Sequence, residues 1–227
     1  MADGPGVRRG TRVRRVVAGL GLVSAAVLLA AWVILDLAFE YPSDADERLE
    51  ELARDQGRAV AVALVFAFGQ IALVPAILGI VHLARDRAFW LAHVGGLLGL
   101  VGVCGHLVFS GTGLATIEVA ERAGSAEAVA LYEDVTNNAA LVPFLAMGLL
   151  GTLAGLVLLA LALWRSRVAP VWIAASIAAG VVLEFAGSSF VELLSLLGGL
   201  LVSAGFFALG VLVLRMSDSE WGGRIAA

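Results

Sequence analysis

The apolar run from Trp90 to Ser110, WLAHVGGLLGLVGVCGHLVFS, is long enough to cross a bilayer and contains no acidic or arginine side chain. It holds five glycines, two of the chain's three histidines and its only cysteine. Wound into a helix, Ala92, Gly95, Gly99, Gly102 and His106 recur at spacings of three and four and fall on one stripe. Small residues on such a stripe let a neighbouring backbone come close, which is how helices associate in lipid. The run therefore reads as the most enclosed helix of a membrane bundle, with an ionisable side chain at one end of its packing face.

Five more runs of the same kind divide the chain. The spans are expected at about 16–39, 59–84, 88–110, 139–164, 169–187 and 191–214, between a basic leader, 1–15, and a polar tail, 215–227. An apolar content of 60% excludes an ordinary soluble domain. The fold class expected is all-α, a polytopic bundle of six transmembrane helices. The first run is longer than the roughly 7–15 residues of a signal-peptide core and lacks a convincing cleavage site, so it reads as a retained span. Pro75 should kink the second span, and Gly111 and Gly113 should loosen the end of the third. Gly148, Gly151 and Gly155 form a second small-residue stripe on the fourth span, and Pro170 suits the first turn of the fifth. Between spans, Leu49, Leu52 and Ala53 give one short surface helix a weak apolar face. Ala128, Leu131, Tyr132 and Val135 do the same for a second.

Arginine asymmetry sets the orientation, because basic residues resist translocation. All basic side chains are arginine. With both termini inside, eleven arginines lie in the cytoplasm and only Arg48, Arg54, Arg58 and Arg122 lie outside. Trp90, Trp164 and Trp172 then share the inner interface, as an aromatic belt does. The absence of lysine and the wealth of Ala, Gly, Val and Leu point to a bacterial cytoplasmic membrane.

Ionisable groups in a span cost about 2.5–3.5 kcal/mol on insertion scales and so are functional candidates. This topology puts Asp36, Glu40, His106, Glu184, Glu192, Asn137 and Asn138 near the outer leaflet. One reading is an acidic pocket open to the outside for protons, cations or cationic solutes. The favoured, simpler reading is that Glu40 and Glu192 are solvated while Asp36 and Glu184 bond within the bundle. His82 and His93 flank an inner turn. A bis-histidine haem there is the tempting interpretation, and a snorkelling His82 with a hydrogen-bonded His93 the simpler one. Cys104 reads as a small buried residue. No catalytic, metal, phosphate-binding or nucleic-acid-binding motif is present, and no cofactor is expected.

The segment Leu149 to Phe185, with its small residues, ALWRSRVAPVW and IAASIAAGVVLEF, resembles bacterial six-span membrane proteins known only as domains of unknown function. The residues carrying the resemblance are Arg165, Ser166, Pro170 and Trp172. It implies the six-span fold and no activity. With no site chemistry complete, the leading expectation is a non-catalytic membrane partner or regulatory protein. A small transporter or channel using the outer acidic and histidine cluster is the alternative, and a haem-binding membrane protein a distant third. The partners expected are the lipid bilayer and a second copy or another membrane protein.

Overall fold

Helices that are apolar all round have no face to offer water, so they pack on one another and leave the rest to lipid. The computed structural model describes residues 5–37, 42–187 and 192–222, and the side chains of 10–37, 42–186 and 193–222. Its helices are α1 (Pro5–Asp36), α2 (Ala45–Arg54), α3 (Gln56–Ala84), α4 (Phe89–Ala120), α5 (Ala126–Thr136), α6 (Val142–Ala146), α7 (Thr152–Ser166), α8 (Val171–Gly187), α9 (Glu192–Arg215) and α10 (Asp218–Gly222). A 3-10 turn, Ala139–Leu141, leads into α6, and a π turn, Met147–Gly151, joins α6 to α7. There is no strand among the described residues.

Five stretches are long and apolar enough to cross a membrane: 10–36, Gln56–Ala84, Phe89–Ala120, Ala126–Ser166 and Leu193–Arg215. The apolar α8 is shorter, about 25 Å by helical rise. The long helices close a ring in chain order. Helix α1 packs on α3, α3 on α4, α4 on the 142–166 segment, α7 on α8, α8 on α9, and α9 back on α1. Neighbours run antiparallel: Ala18 meets Gly79 where Leu28 meets Gly69, and Ile177 meets Gly205 where Glu184 meets Gly198. Leu22, Ile77, Leu159, Ile177 and Phe206 fill the interior. Leu20, Val27, Phe68, Leu97, Leu161 and Phe207 stand exposed on the outside. An apolar exterior around an apolar core is the pattern of a helical membrane protein.

Arginines tie one end of the ring. Arg87 Nη1 donates to Ser166 O at 3.0 Å, and Arg15 donates to Leu214 O at 2.7 Å and to Asp218 Oδ1 at 3.0 Å. These bonds satisfy helix-end carbonyls that have no partner within the helix. At the other end, Leu49 and Leu52 of α2 pack with Ala59, Ile117, Ala120 and Ala128. Asp44 caps α2 by accepting from the amides of Asp46 and Glu47, and Asp55 caps α3 through the Arg58 amide. A side-chain hydrogen bond from Arg58 also holds the Asp55 carboxyl below its usual range.

Several expectations are corrected. Helix α4 does not loosen at Gly111 and Gly113 but continues to Ala120, because Ile117 and Ala120 find apolar partners on α2 and α5. Pro75 lies inside α3 and packs against Gly21 of α1. Ala53 is exposed, so α2 buries only its two leucines. Pro170 precedes the first residue of α8 rather than lying in its first turn. The fourth span carries the unforeseen π turn, and the tail folds into α10. Cys104 is exposed, not buried.

The glycines of α4 divide by what surrounds them. A Cβ on Gly102 would meet Thr152 N at 2.5 Å, whereas one on Gly111 would meet nothing within 4 Å. Gly111→Ala should therefore stabilise the protein by about 0.5–1 kcal/mol. Gly102→Ala should destabilise it by about 1–3 kcal/mol. Thermal unfolding of the two purified variants in one detergent checks the opposite signs.

Candidate functional site

Glycine contacts place the acids. On α9, a Cβ at Gly198 would lie 2.7 Å from Glu184 Cα, and one at Gly199 would lie 2.7 Å from Val33 Cγ2. Helices α8 and α1 are thus both drawn tightly onto α9 at adjacent residues. One turn further toward the same end, Asp36 and Ser195 come round to face the gap. Asp36, Glu184, Ser195, Leu196, Trp32 and Val33 line a single cavity of about 60 Å³. Two carboxylates and a hydroxyl from three helices share this space. It holds one or two water molecules, at roughly 30 Å³ each. The Glu40 residue and the Glu192 side chain lie outside the described residues.

His106 does not line this cavity. The sequence reading put it at the level of the acids, near the end of its span, but α4 continues fourteen residues past it to Ala120. It faces Gln70, whose neighbour Gly69 packs on Leu28 and Leu29 of α1. That level is about 12 Å deeper than Asp36 by helical rise.

There His106 Nδ1 lies 3.4 Å from Gln70 Oε1 and 3.5 Å from Thr152 Oγ1. Gln70 is 2% exposed. Both contacts are long, and they ask opposite things of the ring. With its proton on Nδ1, His106 donates to the Gln70 carbonyl. With the proton on Nε2, Nδ1 accepts from the Thr152 hydroxyl. The imidazole can exchange its proton in either tautomer without leaving its neighbours. The edge of the Phe66 ring meets His106 with centroids 5.4 Å apart, and Trp32 meets Phe66 at 4.8 Å. Trp32 also lines the acidic cavity, so a chain of ring contacts runs from that cavity to His106.

The seam between α4 and the 142–166 segment holds the deeper site. Gly95 and Gly99 face Gly155, Gly102 faces Gly151 and Thr152, and Gly105 faces Gly148. A Cβ on Gly148 would come within 2.8 Å of His106 Cδ2. The π turn lies at this contact, as such turns often do beside functional groups.

No protein-family model, curated protein or solved structure matches this chain. What it does must be argued from its own side chains.

The remaining candidates fall elsewhere. Asn138 is exposed, and its Oδ1 accepts from the Ala140 amide at 2.9 Å, so it caps the 3-10 turn; Asn137 ends α5. His93 Nδ1 donates to Phe89 O at 2.8 Å within its own helix. His82 Nε2 donates to Trp221 O at 3.0 Å and stacks on that indole, centroids 4.4 Å apart. Among the described residues no three His, Cys, Asp or Glu side chains are grouped to hold a metal ion. Sequence reasoning missed Gln70 and Thr152, which are unremarkable until a buried histidine faces them. It also missed the α8–α9 contact, although Gly198 and Gly205 lie two helical turns apart.

If His106 satisfies Gln70, deleting the imidazole orphans a buried amide. His106→Phe should then cost about 1–3 kcal/mol. Adding Gln70→Leu to His106→Phe should restore part of that loss. Unfolding of the two single variants and the double variant in detergent gives the coupling, and additive effects would disprove the pairing.

Proposed function

We propose that the chain crosses the bacterial cytoplasmic membrane six times, with both termini inside, and serves as a small proton-translocating or proton-coupled transport protein. The observation that supports this best is the cavity shared by Asp36 and Glu184. Carboxylates within a membrane span are costly, and two from different helices facing one water-sized space are the common means of holding a transferable proton. A space of about 60 Å³ lined by two carboxylates and a hydroxyl suits a proton held together with water.

The steps follow from the residues. A proton entering from the acidic end is held by Glu184 and Asp36, with the Ser195 hydroxyl able to donate to whichever carboxylate is ionised. Movement of the Trp32–Phe66 pair connects this cavity to His106, which takes the proton on one ring nitrogen and gives it up from the other. Below His106 the interior is filled by Ile77, Leu159 and Phe206, so this arrangement is closed toward the arginine end. Passage to that end requires the helices to shift along the glycine seam. The shared cavity moves the balance from a non-catalytic partner protein toward transport.

The test is reconstitution into liposomes carrying an interior pH-sensitive dye, with a potassium diffusion potential as the driving force. The wild-type protein should collapse an imposed pH gradient faster than protein-free liposomes do. Glu184→Gln and Asp36→Asn should return the rate to the protein-free value, while Glu121→Gln, on the exposed surface, should not. A wild-type rate equal to that of empty liposomes overturns the proton path.

A further inference from the structure

At the opposite end of the bundle from the acids, an open groove of about 350 Å³ runs between α1 and α3, with α10 lying across it. We propose that this groove binds one anionic phospholipid, its phosphate at Arg14 and Arg85 and an acyl chain along the apolar wall.

The wall is built from Val17 and Ala18 of α1 and Pro75, Leu78 and Val81 of α3, and no acidic residue lines it among the described residues. Charge is concentrated at the mouth, where the two arginines stand with His82 and His93. The arginines at this end are not equivalent. Arg15 is committed to Asp218 and to the end of α9. Arg14, its neighbour, is exposed and forms no ion pair among the described residues. Arg85 has only the adjacent Asp86, at 3.6 Å. Two guanidinium groups at the mouth of an apolar groove, where α1 and α3 leave the apolar zone, match the headgroup and chain of a lipid rather than a soluble anion.

Trp221 of α10 closes one side of the groove: it is 3% exposed, and its backbone carbonyl accepts from His82 at the same end. The proposal rests on features of the arginine end alone, so it stands or falls separately from the proton path.

The experiment uses the full chain, delipidated in detergent and titrated with dioleoyl phosphatidylglycerol, dioleoyl phosphatidylcholine or inorganic phosphate. Thermal unfolding and native mass spectrometry are the readouts. Phosphatidylglycerol should bind at one per chain and raise the unfolding midpoint saturably, while phosphatidylcholine of the same chains and phosphate alone should not. The double variant R14Q/R85Q should bind phosphatidylglycerol about tenfold to thirtyfold more weakly. Should the double variant not fold, R14Q alone carries the comparison at an exposed side chain. Equal binding of phosphatidylcholine, an equal effect of free phosphate, or unchanged affinity in R14Q/R85Q overturns the proposal.

Discussion

Backbone against backbone, with no side chain between, is the contact on which the rest of this bundle depends. Where α4 meets the 142–166 segment, glycines face each other at three successive levels. In lipid there is no water to expel, so association must come from dispersion and close fit, and only residues without a Cβ allow approach at this range. The π turn belongs to the same constraint. It spans Met147–Gly151, where Gly148 and Gly151 both face α4. This arrangement sets Thr152 against His106 and leaves the imidazole between α3 and α7.

The two ends of the ring are built by different chemistry. At the arginine end, Arg15 and Arg87 cap helix carbonyls, and Arg15 and His82 hold α10 down. At the other end, carboxylates serve as helix caps at Asp44 and Asp55, while Asp36 and Glu184 turn inward to a cavity. At the acidic end the inward polar groups are Asp36 and Glu184, with Gln70 and His106 deeper in the bundle.

What could be read from the sequence was what depends on run length and local period. The glycine stripes of the third and fourth spans and the amphipathic helices between spans appear where the residues place them, and so do helices along the apolar runs, though the fourth run is broken by a 3-10 turn and a π turn. What could not be read depends on partners distant in sequence. Gly111 and Gly113 look like the end of a helix, and nothing nearby reveals that Ile117 and Ala120 will find Leu49 and Leu52. That one extension moved His106 from the level of the acids to a site of its own. The depth comparison between Asp36 and Glu184 led to a shared cavity, since each lies at or near the end of its helix, although α1 begins at Pro5, inside the stretch expected as a leader. Trp221 looked like part of a polar tail because its partner, His82, lies 139 residues away.

Cys104, two residues before His106, stands on the exposed side of α4 while the glycine seam occupies the other. The chain thus carries one native thiol, on the outward face of an apolar helix. A nitroxide or fluorophore attached there needs no engineered background, and its spectrum reports both its distance from the membrane surface and any rotation of α4.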